Sequence, residues 1–198
     1  SICIAGGGIV GLSSAYFLAK IGYEVVLVER DSIGSHASGF AYGSLSPLGE
    51  AGREKEILPE LDIARVGMRI HTEFSTKLPS ETGIDIQHRF RPSMDLAFNK
   101  KEAETAKLQI KWKNKEKGYF SEWLERDEAR EIVPSLSPEI WGAAYTVGVA
   151  DVDPYRLILA LTEACESMGV NIQHGEVKEV KKRNGNVSAL VTSSGKIY

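Results

Sequence analysis

Near the start of the chain, apolar and polar positions follow a pattern that predicts strand, helix and strand. The apolar run Ile2–Ala5 leads into three consecutive glycines, and a helical period then covers Leu12–Ile21 and stops at Gly22. A second apolar run, Val25–Val28, ends on Glu29. The helix has a mostly apolar side suited to covering a sheet. Its members are Leu12, Ala15, Tyr16, Ala19 and Lys20.

The glycines at positions 6, 8 and 11 give this βαβ pattern a chemical interpretation. Gly6 permits a tight turn, Gly8 lets the backbone approach a pyrophosphate, and Gly11 lets helix and strand pack closely. The helix N-terminus offers free N–H groups and a partial positive charge to phosphates. Glu29, eighteen residues after Gly11, can accept hydrogen bonds from a ribose diol. The pattern predicts a dinucleotide site, and an ordinary strand-to-helix turn is the alternative.

The middle of the chain predicts a second region of mixed α and β structure. Helical spacing over residues 57–78 indicates a helix, with Pro59 in its first turn and Pro79 after its end. Shorter elements follow, with Asn99 as the expected cap of the longest helix among them. These elements are strands at 84–86, 90–98 and 140–147 and helices at 100–115 and 127–132, the last closed by Val133-Pro134.

From residue 151 the pattern of the first thirty residues resumes. Asp153 is expected to cap a helix that has Pro154 at its first position and ends at Gly169. Its apolar side consists of Leu157, Leu161, Ala164 and Met168. Asn184-Gly185 is a strong hairpin signal between the last two of three short strands. Those strands are expected at 170–174, 176–183 and 187–192.

Together the elements predict an α/β fold in which one domain interrupts another. Residues 1–83 and 148–198 are expected to form an incomplete Rossmann-like domain that combines a parallel sheet with a three-stranded β meander. Residues 84–147 are expected to form part of an inserted α+β substrate-binding domain.

Composition sets limits and does not by itself point to a function. Hydrophobic residues make up 42% of the chain and charged residues 26%, which is ordinary for a globular protein. The net charge of −3 gives no electrostatic reason to expect nucleic acid. The two cysteines, Cys3 and Cys165, are expected in the core of a protein of the reducing cytoplasm. No apolar stretch reaches the length of a membrane span. A solvated outer face is expected for Lys100, Lys101, Lys107, Lys111 and Lys113.

Residues 30–47 are rich in glycine and serine, but they also contain aromatic residues. Small residues alternate with Phe40 and Tyr42. Such a pattern is expected where backbone lies close to a large planar ligand. A flexible surface loop is the alternative interpretation.

With the glycine turn, Glu29-Arg30 and the loop 34–39 established, the chain resembles the FAD-dependent oxidoreductases of the D-amino-acid oxidase, glycine oxidase and sarcosine oxidase superfamily. The similarity extends through Val-Asp-Pro-Tyr-Arg-Leu at 152–157 and Gly-Val-Asn-Ile-Gln-His-Gly-Glu-Val at 169–177. These segments fall in the family's order and spacing over nearly the whole chain. The run 42–47 is most like the D-amino-acid dehydrogenase branch.

The resemblance implies FAD as the cofactor and assigns its binding residues by position. The glycine turn holds the pyrophosphate with the backbone amides of Ile9 and Val10, and Glu29 binds the adenosine ribose. Val177 matches the residue whose backbone pairs with the adenine edge. The other implied contacts are Arg30 beside the adenine, Ser35, Ala37 and Ser38 in the loop that approaches the pyrophosphate and ribityl chain, and Tyr42, Gly43, Ser44 and Leu45 beside the isoalloxazine.

The resemblance also implies an activity. Family members oxidise the C–N bond of an amino acid or N-methyl amino acid by hydride transfer to flavin N5, which gives an imine that water hydrolyses. Oxygen or a quinone would accept the electrons, and only a quinone-linked dehydrogenase would associate peripherally with a membrane. The family's substrate-binding arginine and tyrosine belong to a C-terminal half that this chain does not contain, so no catalytic residue is assigned. Alone, the 198 residues are expected to be poorly soluble and to bind FAD weakly.

Other functions stay open at this point. One is a different enzyme of the same superfamily, such as a glycerol-3-phosphate dehydrogenase or a tRNA-modifying oxidase domain. Another is an NAD-dependent dehydrogenase, since Glu29 serves NAD equally well, although the loop 34–47 has no role in an ordinary NAD site. A third is a non-catalytic flavin-binding subunit.

The histidines are expected to be structural or solvent-facing. Some relatives attach FAD covalently through a histidine near His36 but at a different loop position, so a solvent-facing side chain is the favoured interpretation. His71 and His88 are expected to be structural. The four histidines and two cysteines show no metal-ligand spacing, so no metal is expected.

Overall fold

The computed structural model describes residues 1–48 and 60–198, and these residues form strands β1–β11 and helices α1–α5. In chain order they are β1 (Ile2–Ala5), α1 (Ile9–Lys20), β2 (Val25–Glu29), β3 (Ser44–Leu45), α2 (Glu60–Thr82), β4 (Arg89–Phe90), β5 (Ser93–Ala97), α3 (Lys100–Lys113), β6 (Phe120–Glu125), α4 (Arg126–Ile132), β7 (Gly142–Val147), β8 (Ala150–Asp151), α5 (Pro154–Ser167), β9 (Asn171–His174), β10 (Val177–Arg183) and β11 (Asn186–Thr192).

The chain divides into two compact units. Unit 1 comprises Ser1–Gly43, Phe74–Gln87 and Asp153–Tyr198, and unit 2 comprises Ser44–Glu73 and His88–Val152. This division differs from the expected domain boundaries, because residues 44–73 belong to unit 2. One reason is that Ser44 and Leu45 pair with Asp151 and Ala150 within unit 2.

A parallel sheet of order β1-β2-β9 forms the centre of unit 1. Helix α1 crosses from β1 to β2 and buries Leu12, Ala15 and Tyr16, as its apolar side predicts. Helix α5 packs on α1, with Cys165 Sγ 3.6 Å from the Leu12 carbonyl oxygen. Because the three strands run in the same direction, their carboxyl ends meet at one edge of the sheet.

The antiparallel part of unit 1 is the hairpin β10–β11. Asn184 and Gly185 have φ values of 52° and 79°. Positive φ at both central residues is the geometry of a type I′ hairpin turn, so the Asn-Gly signal is confirmed. Beyond the hairpin, an isolated bridge joins Val191 to Ile197.

The bounds of two helices differ from the predicted ones. Helix α1 begins at Ile9 rather than Leu12, because the extended Gly8 is already its N-cap. Helix α2 continues through Pro79 to Thr82, so the predicted stop at this proline is wrong. The last turn is stabilised because Tyr16 donates a hydrogen bond to Glu81 at 2.9 Å. The predicted start of this helix, including Ile57 and Pro59, lies outside the described residues.

Unit 2 is built on the antiparallel sheet β5-β7-β6 and the smaller sheet β3-β8-β4. Asn99 caps α3 by accepting the Glu102 amide, as predicted. The predicted strand 90–98 is divided into β4 and β5 around Arg91-Pro92, because proline cannot donate to the sheet. A core cluster between the sheet β5-β7-β6 and α4 comprises Leu124, Ala129, Ile140 and Ala143.

Two further expectations in the middle of the chain are wrong. Residues 84–86 form no strand, since the Ile86 carbonyl accepts the Asp153 amide at 3.0 Å instead of pairing in a sheet. Lys113 is not on the solvated face of α3, because it is only 4% exposed and its Nζ lies 3.1 Å from Asp95 Oδ2.

Among the described helices, none combines the length and apolarity needed to cross a membrane.

Candidate dinucleotide-binding site

A cleft of about 320 Å³ lies at the carboxyl edge of the parallel sheet in unit 1. It brings together four residues that the sequence assigns to one ligand, namely Gly6, Glu29, Arg30 and Val177. They arrive from the ends of β1 and β2 and from the chain after β9. The complete lining is Ala5, Gly6, Val28, Glu29, Arg30, His36, Gly175, Glu176 and Val177.

The glycine turn needs glycine for two separate reasons. Gly6 has a φ of +106°, which side chains other than hydrogen rarely permit. At Gly11 the reason is close approach, because a Cβ there would overlap the Gly6 carbonyl oxygen. These positions match the tight turn and the close helix–strand packing that the sequence predicts.

The first turn of α1 presents backbone amides beside this glycine turn. Gly8, the N-cap, has no side chain that could cap the helix. The Ile9 amide, which the resemblance assigns to the pyrophosphate together with that of Val10, instead donates to Ser38 Oγ at 3.0 Å. In the described part of the chain, the amides of Val10 and Gly11 have no acceptor. Two free donors and the partial positive charge of the helix end therefore remain for an anion.

Glu29 is a buried carboxylate, 9% exposed, that is held by backbone amides. Its Oε2 accepts the Gly7 amide at 2.6 Å, and its Oε1 accepts the Asp31 amide at 2.9 Å. Burial opposes ionisation, but hydrogen bonds from the amides of Gly7, Asp31 and Arg30 outweigh it and lower the pKa of Glu29. An ionised carboxylate has about four lone-pair sites, so Glu29 can accept further bonds from hydroxyl groups.

The loop after β2 carries a second polar group on the cleft. His36 Nε2 lies 2.6 Å from Asp31 Oδ2, and Arg30 Nε lies 3.1 Å from the same oxygen. The hydrogen bond with His36 is the main cause of the lowered pKa of Asp31. His36 is exposed, as predicted, yet it also lines the cleft.

Potential metal-ligand atoms of Glu29, Asp31 and His36 lie within 4.8 Å of one another. Both Glu29 oxygens already accept amides, and the Asp31 carboxylate already faces His36 and Arg30. We therefore assign no metal to this cluster.

The remaining predicted contacts are divided between the units. Ser35, Ala37 and Tyr42 are exposed in unit 1, with Tyr42 95% exposed, and Gly43 ends that segment. Ser44 and Leu45 form β3 in unit 2. The contact of residues 42–45 with an isoalloxazine stays a prediction.

Sequence reasoning missed part of the cleft. Gly7 was not assigned a role, although its amide anchors Glu29, and Gly175 and Glu176 were not recognised as lining residues. The sequence did contain a signal that residues 175–177 lie at this cleft. These residues follow a strand parallel to β2, and the carboxyl ends of neighbouring parallel strands share an edge.

Two histidines, His71 and His88, belong to unit 2. His71 lines a cavity of about 240 Å³ together with Leu45 and Met68. Burial lowers the pKa values of both His71 and His88. Both side chains are only partly buried, and their structural role stays a prediction.

The donor and acceptor set of unit 1 fits FAD. Free amides at the start of α1 suit a diphosphate, and the amide-anchored carboxylate of Glu29 suits a ribose diol. The start of β10, at Val177, offers strand backbone beside the same cleft.

Comparison with known proteins gives the same assignment. The family model described as DAO, FAD dependent oxidoreductase, matches residues 1–198. Glycine oxidase of Bacillus subtilis (strain 168) is 27% identical over 98% of this chain and 50% of its own length. The mitochondrial pyruvate dehydrogenase phosphatase regulatory subunit of Mus musculus is 28% identical over 99% of this chain and 21% of its own length.

A solved structure is also similar. Glycine oxidase from Bacillus cereus ATCC 14579 has a TM-score of 0.86 and 32% identity, covering 98% of this chain and 51% of its own. The chain spans about half the length of the glycine oxidases it matches. The predicted fold class and the FAD cofactor are confirmed at the level of the family. The chain belongs to the family of FAD-dependent oxidoreductases typified by D-amino-acid oxidase.

Proposed function

We propose that this chain is part of an FAD-dependent enzyme that oxidises the C–N bond of an amino acid or N-methyl amino acid. The observation that carries the proposal is the cleft of unit 1 that joins Gly6, Glu29 and Val177. Similarity to two glycine oxidases, at 27% and 32% identity, supports an amino acid as the substrate class.

The described residues of unit 1 bind and orient one end of the cofactor. The amides of Val10 and Gly11 stabilise the diphosphate charge, and Glu29 accepts hydrogen bonds from the ribose. Bound FAD supplies a hydride acceptor at flavin N5. Anchoring the adenosine diphosphate reduces the entropy cost of holding the reactive ring against a substrate.

The proposal has further parts. Unit 1 binds FAD, and unit 2 contributes to the substrate-binding region. The electron acceptor is oxygen or a quinone. The location is cytoplasmic, with peripheral membrane association if the acceptor is a quinone.

The test is an anaerobic screen of the complete, FAD-loaded protein. Candidate substrates are D-amino acids, glycine, sarcosine and proline, with glycerol 3-phosphate added to probe the other branch of the superfamily. The expected result is that an amino acid or N-methyl amino acid bleaches the visible flavin band. Bleaching by glycerol 3-phosphate alone would contradict the proposal.

A non-catalytic flavin-binding subunit is the second candidate. The similarity to a pyruvate dehydrogenase phosphatase regulatory subunit favours it, at 28% identity over 99% of this chain. A protein that holds FAD and is reduced by dithionite, but by no amine in the screen, would support this candidate over the enzyme.

A further inference from the structure

The loop formed by residues 32–40 is fixed against the dinucleotide site at several points. The Gly34 amide donates to the Gly7 carbonyl at 3.1 Å, and Ser38 Oγ accepts the Ile9 amide at 3.0 Å. A Cβ on Gly34 would lie 2.6 Å from Ile158 Cδ1, which shows how closely the loop packs on α5. The loop therefore holds His36 in a defined place.

His36 and Asp31 form a pair that is connected to the ribose-binding carboxylate. The Asp31 amide donates to Glu29 Oε1 at 2.9 Å, while the Asp31 carboxylate lies 2.6 Å from His36 Nε2. Among the described residues, His36 Nδ1 has no hydrogen-bond partner. The imidazole lines the same cleft as Gly6 and Glu29.

The carboxylates around the cleft would repel a bound diphosphate, and the His36–Asp31 pair can offset part of this negative charge. A diphosphate would meet the carboxylates of Glu29, Asp31 and Glu176 on the walls of the cleft or just behind them. Lys178 pairs with Glu176 at 2.8 Å, so that carboxylate is partly neutralised. Of the remaining two carboxylates, Glu29 accepts backbone amides, and the Asp31 carboxylate pairs with the side chains of Arg30 and His36.

We propose that His36 is a direct ligand of the adenosine diphosphate part of FAD and that Asp31 is its positioning residue. Asp31 accepts a hydrogen bond from His36 Nε2–H, which fixes the tautomer and turns Nδ1 towards the cofactor. Nδ1 accepts a ribose hydroxyl when the ring is neutral and donates to a phosphate oxygen when the ring is protonated. This proposal rests on FAD as the family's cofactor and not on the amine substrate.

The competing interpretation is an exposed ion pair without a role. Such pairs contribute little to stability, so their removal changes folding little. The two interpretations therefore differ in cofactor affinity, which can be measured without turnover.

The experiment compares FAD affinity of the complete apoprotein by quenching of FAD fluorescence. We expect His36→Ala to weaken binding by about tenfold and Asp31→Ala by about fivefold, the range of a lost charge-assisted hydrogen bond. The double variant should bind no more weakly than His36→Ala, because Asp31 acts through His36. Asp62→Asn removes another exposed carboxylate, paired with Arg65 in unit 2, and should leave FAD affinity unchanged.

Two further measurements separate binding from folding. Competition by ADP should weaken in His36→Ala by the same factor as FAD binding, because the contact is to the adenosine diphosphate. The melting temperature of the apo form should not change. Wild-type FAD affinity in His36→Ala, additive losses in the double variant, or a lower apo melting temperature that accounts for the loss would each overturn the proposal.

Discussion

Each unit of the molecule buries a charged side chain, and the two are held in different ways. Glu29 in unit 1 is held by the backbone amides of Gly7 and Asp31 and borders a cleft. Lys113 in unit 2 faces the carboxylate of Asp95, an ordinary ion pair between α3 and β5. Burying a charge is unfavourable unless it is compensated. Compensation by neutral amides leaves the charge available to a ligand, whereas an opposite charge cancels it.

The largest effect on FAD binding is expected from a substitution that disrupts the glycine turn. Gly11→Ala places a methyl group onto the Gly6 carbonyl oxygen, so the turn cannot keep its shape. We expect saturable FAD binding to be lost in a fluorescence titration of the complete protein. Gly67→Ala in α2 is the matched control, because a Cβ there meets no atom within 4 Å among the described residues. Normal FAD affinity in Gly11→Ala would contradict the assignment of the turn.

Removing each buried charge separately tests the comparison itself. Glu29→Gln should weaken FAD binding by about tenfold to a hundredfold, because a charged acceptor of ribose hydroxyls is lost. Lys113→Met removes the buried cation of unit 2 and should leave FAD affinity unchanged. Isothermal titration of the two variants measures both effects. Equal losses of affinity would show that the variants act through folding alone.

The pH dependence of stability tests whether Glu29 is an ionised carboxylate in the folded protein. Its pKa is lowered below the ordinary value of 4.5 in the folded protein, so its stabilising effect is present above that value. The effect is lost as the pH falls through the lower folded pKa. The difference in unfolding free energy between wild type and Glu29→Gln should therefore shrink below pH 4.5 in urea titrations. A difference that is independent of pH would contradict an ionised, amide-held carboxylate.

The smallest effect is expected at Val177. The resemblance assigns its backbone, and not its side chain, to the adenine edge. Val177→Ala should thus change FAD affinity by about twofold or less, within the usual range for a surface substitution. Val177→Pro removes the backbone amide and should weaken binding more. If the two substitutions have equal effects, Val177 contributes through its side chain instead.

The part of the fold that could be predicted is the part whose signals are local. The turn that follows Ile2–Ala5 and the Asn184-Gly185 hairpin are encoded by a few adjacent residues with special backbone angles. The predicted strand at 84–86 failed because the Ile86 carbonyl bonds a distant residue, Asp153. Strand β6 was missed because Phe120–Glu125 does not alternate strictly between apolar and polar residues.

The candidate site shows the same limit. Glu29 and the glycines could be predicted because their spacing along the chain implies their chemistry. The bond from Gly7 to Glu29 and the approach of His36 to the cleft depend on the path of the loop 32–40. That path is set by packing on α5, which no local pattern of the loop shows.

The most direct test of the central claim is a crystal structure of the complete protein with FAD bound. We predict that a ribose hydroxyl lies about 2.5–3.0 Å from a Glu29 carboxylate oxygen, the usual O–H···O distance. The diphosphate should accept the amides of Val10 and Gly11. FAD bound elsewhere, or a ribose with no contact to Glu29, would contradict the account.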